Sequence, residues 1–293
     1  MHIRSDAAIT EANYAGHTKT VRQLLRAYGL RPQKGLGQNF LEDPAILQRI
    51  VDAAELTADD LVLEVGPGLG TLTRLLALSA GRVLAVELDE RLAAILPEIL
   101  ADCPNVEIIH GDILDLDPAD FFPEQAAGYK VVANLPYYIT SAVLRHLLES
   151  PARPRLMVLT LQREVARRLM AGPGEMSLLA VSVQFYGQPR IVARIPAGAF
   201  YPPPQVDSAV VRIDVYDRRP VHVNDAHGFF RVVRAGFGQR RKQLRNALSR
   251  GLDLPVGEVV AALHRAGIAP QRRAETLSLA EWAAVWQEIT LAA

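Results

Sequence analysis

Short apolar runs alternate with helical segments between residues 61 and 161, and this alternation limits the fold more than any other feature of the sequence. The predicted strands are 61–65, 82–87, 106–110, 129–133 and 156–161, and the predicted helices between them include 71–78, 90–100 and 141–149. Strands that alternate with helices form parallel sheets, and strands that are apolar throughout are buried on both faces. The sequence therefore predicts an α/β fold around a parallel sheet.

The pattern changes after this region. Residues 196–204 are rich in proline, residues 206–215 form an extended β-branched run, and the remainder is typical of helices alone. Ser278 and Glu281 have the spacing of a capping box, which predicts the start of the final helix. We predict three parts: an N-terminal extension and helix at 1–31, the α/β domain at 32–215, and a small helical domain at 216–293.

The composition argues against several protein classes. A single cysteine, Cys103, excludes a disulfide framework, and the seven histidines show no metal-ligand spacing, so we expect no metal. No apolar stretch approaches the ~18 residues of a membrane span. The first 17 residues also lack the apolar centre of a secretion signal. We expect a cytoplasmic protein that does not bind a membrane.

Charge is distributed unevenly along the chain. The total is balanced, with 32 basic and 32 acidic residues, but the segment 227–250 contains seven basic residues and no acid. Within it, Arg241 and Arg245 are four residues apart, so on a helix they would share one face. The stretch 17–39 is a second basic segment without an acid. Both segments could face phosphates, although two solvated helix faces would give the same pattern.

A glycine-rich turn follows the first predicted strand, in the run Glu64-Val-Gly-Pro-Gly-Leu-Gly70. Open α/β sheets bind ligands at this place, and glycine lets the backbone approach a ligand closely. A dinucleotide site would have the spacing G-x-G-x-x-G, whereas this turn has G-x-G-x-G. Glu64 would also be poorly placed for a pyrophosphate. The turn therefore favours a ligand that has no phosphate and carries some positive charge.

Acidic residues lie at the ends of the next two predicted strands. Glu87 lies 21 residues after Gly66 and can accept hydrogen bonds from both ribose hydroxyls of a nucleoside. Asp112 can accept one from an adenine amino group. Each could also be a solvated loop carboxylate, but together they describe a nucleoside pocket without a phosphate clamp. S-adenosylmethionine is a ligand of that kind.

The fourth predicted strand is followed by Asn134-Leu-Pro-Tyr137. An adenine amine is a poor nucleophile because its lone pair is delocalised into the ring. The Asn134 side-chain oxygen and the Leu135 carbonyl could hold its two N–H groups, in a turn stiffened by Pro136, and so favour attack on a methyl group. Tyr137 offers a ring on which a flipped base can stack. The alternative is an ordinary strand-to-helix turn, in which Asn and Pro are common.

Two further segments fit around this centre. Residues 34–41 precede the sheet and could fold over the cofactor as a lid, or form a simple glycine loop. Phe200 begins the run Phe200-Tyr-Pro-Pro-Pro204 and could lie opposite Tyr137, enclosing the base between two rings. A rigid proline turn with a purely structural role is the alternative.

With these motifs in order, the sequence closely resembles the bacterial ribosomal RNA small-subunit adenine dimethyltransferases, the KsgA/RsmA family. The resemblance covers roughly residues 17–290, and the matching segments are 35–41, 64–73, 86–89, 111–112, 134–140, 200–210 and 239–246. It implies a Rossmann-like S-adenosylmethionine-dependent methyltransferase domain at 32–215 and a small C-terminal helical domain at 216–293 that binds RNA. It also implies dimethylation of N6 of two adjacent adenosines in the 3′-terminal hairpin of 16S rRNA, within an assembling 30S subunit.

The resemblance assigns roles by motif, for a protein that we expect to be a monomer. The cofactor would contact Asn39, Leu41, Gly66, Glu87, Asp112 and Asn134. The catalytic residues would be Asn134, Leu135, Pro136 and Tyr137. The RNA would contact Tyr137, Phe200, Arg241 and Arg245.

Other protein classes share part of this pattern. The macrolide-resistance methyltransferases of the large subunit resemble it in fold and most motifs, but 239–246 and the proline run favour the small-subunit family. DNA adenine methyltransferases carry a proline where Leu135 stands. A binding module that assists ribosome assembly, with methylation secondary, remains an alternative. A nicotinamide dehydrogenase is disfavoured by the glycine spacing.

Overall fold

The computed structural model of the chain describes residues 19–122, 128–239 and 241–292. The strands of its central sheet are β2 (Leu61–Val65), β3 (Arg82–Glu87), β4 (Val106–His110), β5 (Lys130–Asn134), β6 (Leu156–Gln162), β7 (Gly187–Ile195) and β9 (Ser208–Val215). Within the described residues they form one sheet in the order β4–β3–β2–β5–β6–β9–β7. Two short strands, β1 (Phe40–Leu41) and β8 (Phe200–Tyr201), pair with each other outside this sheet.

Strands β2 to β6 pair with one another in parallel, which confirms the α/β prediction. The extended run at 206–215 is confirmed as β9, which is antiparallel to both β6 and β7. Strand β7 was not predicted from the sequence. Its exposed Arg190 and Arg194 and the irregular pairing between Ile191 and Ala193 obscure the alternation of apolar residues that marks a strand.

The α-helices of the described residues have the bounds Val21–Ala27, Pro44–Ala54, Thr71–Ser79, Glu90–Ile99, Thr140–Glu149, Arg163–Leu169, Leu178–Tyr186, Ala226–Phe237, Leu244–Leu252, Val256–Arg265 and Leu279–Ala292. The first lies in the N-terminal part predicted to contain a helix, and Thr20 caps it through a capping box with Gln23. The helix at 178–186 was missed because it is apolar nearly all round and so has no helical period.

The sheet is buried on both faces, as its apolar strands predict. Leu63 of β2 and Leu84 of β3 belong to one hydrophobic cluster, whereas Val62 and Val83 belong to another. Successive side chains of a strand point to opposite faces, so these clusters lie on the two sides of the sheet. All four side chains are at most 2% exposed.

The C-terminal helices share a core with the sheet region. The Phe185 and Phe229 rings stack with their centroids 4.8 Å apart, and Phe230 meets Phe185 edge-on at 5.1 Å. The predicted capping box of the last helix is confirmed: the Glu281 amide donates to the Ser278 hydroxyl at 3.2 Å, and the Ser278 amide donates to the Glu281 carboxylate at 2.7 Å. The domain boundary near residue 215 stays a prediction.

A buried ion pair connects the sheet to the preceding helix and loop. The Lys130 ammonium at the start of β5 donates to the Asp60 carboxylate at 2.9 Å and to the Ala54 carbonyl at 2.8 Å. Both charged side chains are about 95% buried, with 4% and 5% exposure. Burial acts to raise the pKa of Asp60, but hydrogen bonds from Lys130, Thr57 and Arg155 outweigh it and lower the pKa.

We expect Asp60→Ala to lower the free energy of unfolding by about 3–5 kcal/mol, because it leaves the Lys130 charge buried without its partner. Denaturant unfolding measures this directly. Glu107→Ala is the matched control, since its ion pair with Arg82 is about half exposed and should contribute at most ~1 kcal/mol. An equal loss of unfolding free energy in the two variants would show that burial of the Lys130–Asp60 pair does not increase its contribution to stability.

Candidate active site

One cavity opens at the carboxyl ends of β2, β3, β4 and β5. Its walls come from the predicted lid, from the glycine turn, and from the residues that follow β3, β4 and β5; they include residues 36–41, 64–69, 86–88, 111–113 and 134–139. Strand β2 lies between β3 and β5, and β3 pairs with β4. Because parallel strands end at the same edge, this order places four loops from distant parts of the sequence around one opening.

The glycine turn lets the lid come close to the sheet. Gly68 has a φ of +62°, a conformation that other residues rarely adopt, and its amide donates to Glu87 at 3.0 Å. A Cβ at this position would lie 3.0 Å from the Phe40 ring of the lid. Glycine is therefore required here for both the turn and the contact with the lid.

The two predicted acidic residues line the cavity. Glu87 is 6% exposed and accepts hydrogen bonds from the amides of Gly68 and Asp89, at 3.0 and 2.9 Å. Burial raises the pKa of this carboxyl, against the effect of those two amides. Asp112 accepts from the Leu114 amide at 2.9 Å. Each carboxylate has further lone pairs that a ligand in the cavity could use.

Asn134, the last residue of β5, forms a hydrogen bond with the lid. Its side-chain amide donates to the Asn39 carbonyl at 3.0 Å, and the Asn39 side chain donates to the Gly37 carbonyl at 3.0 Å. The hydrogen bond to the Asn39 carbonyl fixes the orientation of the amide group, and the Asn134 side-chain oxygen keeps its capacity to accept. Leu41, the other predicted lid contact, is 4% exposed and also lines the cavity.

The two predicted stacking aromatics are not brought together. Tyr137 lines the cavity, half-buried, and its hydroxyl lies 2.6 Å from that of Ser208. Burial raises the pKa of Tyr137, and the bond to Ser208 opposes that rise. Phe200 is 3% exposed, pairs with Leu41 across β1 and β8, and does not line the cavity. Its predicted role would require β8 to shift.

The basic C-terminal segment differs from the sequence prediction. Arg241 and Arg245 do not share one helical face, because the helix begins at Leu244 and Arg241 lies in the turn before its N-cap, Gln243. Arg241 is exposed, whereas Arg245 is half-buried and its amide donates to the Pro270 carbonyl. Neither lines the cavity. Arg240 lies outside the described residues.

Glu64 is a cavity residue that the sequence analysis did not include among the site residues. It is 1% exposed, and its Oε2 has no hydrogen-bond partner among the described residues. Burial raises the pKa of Glu64 to about 8; the Thr73 hydroxyl opposes this rise and the Glu87 charge adds to it. Its position directly before the glycine turn was the signal that could have identified it.

Two further observations concern the described residues as a whole. No group of three or more His, Cys, Asp or Glu side chains among them is arranged to hold a metal ion. No helix in the described ranges combines the length and apolarity needed to cross a membrane.

We expect the ligand-free protein to lose stability as pH rises from about 4.5 to about 8, in part because folded Glu64 holds its proton more tightly than the unfolded chain does. Glu64→Gln removes this linkage. Above pH 8 the free energy of unfolding of the variant should exceed that of the wild-type protein by at least ~1.4 kcal/mol, which corresponds to a difference of one pKa unit. Denaturant unfolding at several pH values tests this, and a wild-type pH profile in the variant would contradict it.

Comparison with known proteins agrees with this geometry. A family model described as ribosomal RNA adenine dimethylase matches residues 29–291. The chain is 49% identical over 280 residues to ribosomal RNA small subunit methyltransferase A of Dehalococcoides mccartyi, covering 96% of each chain. It is 48% identical to the protein of the same name from Pelotomaculum thermopropionicum, covering 90% of this chain and 94% of that one.

Solved structures agree as well. The chain is similar to the 23S rRNA methyltransferase ErmE, with a TM-score of 0.67 and 31% identity, over 86% of this chain and all of that one. A dimethyladenosine transferase from Plasmodium falciparum has the same fold, with a TM-score of 0.74 and 24% identity, over 86% of this chain and 98% of that one. The Rossmann-like fold, the cavity at the carboxyl ends of its strands and these matches along nearly the whole chain lead to one conclusion: the protein belongs to the ribosomal RNA adenine dimethylase family.

Proposed function

We propose that the protein transfers methyl groups from S-adenosylmethionine to N6 of two adjacent adenosines in the 3′-terminal hairpin of 16S rRNA, within an assembling 30S subunit. Family membership supports adenine dimethylation of ribosomal RNA, and the names of the relatives support the small subunit. The observation that carries the proposal is the convergence of Glu87, Asp112 and Asn134 on one cavity.

The cavity suits this cofactor in the chemistry of its donor set. Its polar groups include the carboxylates of Glu87 and Asp112, which repel phosphate and attract positive charge, and the carboxyl group of Glu64, which burial keeps largely protonated near pH 7 in the ligand-free protein. The unpartnered Glu64 Oε2 has acceptor capacity that a cationic ligand could satisfy. Glu87 would hold the ribose and Asp112 the adenine ring.

The remaining cofactor contacts would come from the glycine turn and the lid. Gly66 would approach the methionine part, and Asn39 and Leu41 would cover the ligand from the lid. The cofactor supplies a methyl group that its sulfonium already activates. All other steps of the proposed reaction depend on how this chain holds the target base.

Asn134 and Leu135 would orient the target amine. The Asn134 oxygen and the Leu135 carbonyl would accept its two N–H groups, which leaves the nitrogen lone pair directed at the methyl group. The bond from Asn134 to the Asn39 carbonyl fixes the side-chain amide before the base arrives. Such preorganisation lowers the barrier because the groups need not reorder during the reaction. Tyr137, anchored by Ser208, would stack on the base.

The RNA would reach this site with help from the basic segments. Arg241 and Arg245 belong to the helical part of the chain, at 216–293, which we propose as the RNA-binding domain, beside the catalytic domain at 32–215. We propose further that the protein acts as a monomer in the cytoplasm.

We expect Asn134→Ala to lower the methylation rate by about 10²–10³-fold, the usual effect of removing one preorganised group that acts in the transition state. Unmethylated small subunits, labelled cofactor and mapping of the labelled nucleotides provide the measurement. RNA affinity should change far less, because the contact matters most in the transition state. Label outside the two adjacent adenosines of the wild-type product would overturn the proposed function.

The logarithm of the affinity for the small subunit should fall linearly with the logarithm of the salt concentration. We expect Arg241→Ala to make this slope shallower by about 0.7–0.9, because one fewer phosphate is neutralised. Arg245→Ala should have a smaller effect, since this side chain is half-buried. Cofactor affinity, measured by calorimetry, should not change in either variant. Arg82→Ala is the control, because that arginine is paired with Glu107. An unchanged salt slope in Arg241→Ala would exclude it from the RNA contact.

A further inference from the structure

Tyr138 lies at the rim of the cavity, directly after the turn formed by residues 134–137. It is 57% exposed, although it lines the cavity. The two aromatic residues that the sequence predicts to stack on the target base offer less surface: Tyr137 is half-buried with its hydroxyl bonded to Ser208, and Phe200 is 3% exposed and does not line the cavity. Among these three rings, Tyr138 offers by far the most surface to a ligand arriving from solvent.

The Tyr138 ring rests on the lid. At position 37, a Cβ would lie 3.4 Å from the Tyr138 Cδ1 and 3.5 Å from its Cε1, so this edge of the ring packs against the Gly37 backbone. Gly37 has a φ of +61° and ends the short 3₁₀ turn Lys34–Leu36. The Tyr138 hydroxyl makes no hydrogen bond within the described part of the chain. The ring is therefore supported along one edge and otherwise uncommitted.

Depth in the cavity separates this ring from the position of the target base. The proposed acceptors for the amine are Asn134 and Leu135, and Leu135 is 2% exposed. A base bound to them lies inside the cavity, whereas most of Tyr138 faces solvent. A second base, outside the cavity and adjacent in the RNA, could meet the Tyr138 ring at the same time. Every nucleobase has a face that can stack on an aromatic ring.

We propose that Tyr138 stacks against the nucleobase next to the target adenosine and so holds the RNA strand at the rim while the target base occupies the cavity. This inference rests on the proposed function, because in one of the two methylations the neighbouring base would be the other adenosine of the pair. Tyr138 is thus a substrate-binding residue that positions the strand. Because every nucleobase has a face that can stack, the same ring would hold whichever nucleotide adjoins the target in each methylation.

Steady-state kinetics on unmethylated small subunits tests the proposal with three substitutions. Tyr138→Ala removes the ring, Tyr138→Leu keeps an apolar side chain without a π-face, and Tyr138→Phe keeps the ring without the hydroxyl. We expect Ala and Leu to raise KM for the subunit by roughly 5- to 150-fold, which corresponds to the loss of about 1–3 kcal/mol of stacking. The kcat should change much less, and Phe should restore KM to within about twofold of wild type.

Calorimetry with S-adenosylmethionine, without RNA, distinguishes base stacking from packing on the lid. Cofactor affinity should be the same in all three variants. Leu78→Ala is the matched control, because Leu78 is 54% exposed and lies away from the cavity. A wild-type KM in Tyr138→Leu, or a loss of cofactor affinity as large as the rise in KM, would overturn the inference. Failure of the wild-type protein to methylate small subunits would instead overturn the proposed function.

Discussion

The parallel pairing of β2 with β3 and β5 is the constraint on which the rest of the site depends. In this register Val65 lies beside Val86 and Glu87 beside His110, so the loops that follow these strands leave the sheet at the same level. Glu87, Asp112 and Asn134 are separated by 22 to 47 residues in sequence but border one cavity. A shift of one residue in any strand would turn its last side chain to the other face of the sheet. The hydrophobic clusters on both faces oppose such a shift.

Hydrogen bonds and strand pairing connect the lid to separate parts of the fold. Gln38 donates to the Asp89 carboxylate at 2.7 Å, Asn134 donates to the Asn39 carbonyl, and β1 pairs with β8. Asp89 is well suited to this role, because hydrogen bonds from Arg91 lower its pKa to about 2 despite its burial. Through β8 the lid is continuous with the segment that contains Phe200. Any opening of the lid therefore also disturbs the surroundings of that ring.

Two buried carboxyl groups line the cavity at a cost to stability. Glu64 and Glu87 both have raised pKa values, chiefly because burial removes their charged forms from water. Buried charges elsewhere in the described part of this fold do not carry this cost in stability. Lys130 and Asp60, for example, neutralise each other in a buried ion pair. Unneutralised acidity at a ligand cavity is typical of a site arranged for binding rather than for stability.

By itself, the sequence determined the parallel sheet, the positions of its first strands and the residues at their ends, because apolar periodicity, glycine and proline act locally. The capping box at Ser278 was likewise predictable. Tertiary structure decided what depends on distant contacts. It buried Phe200 under the lid, began the helix at Leu244 so that Arg241 and Arg245 are displaced from each other, and left Tyr138 exposed at the rim. Burial and exposure follow from which segments meet, and no local pattern of residues encodes that.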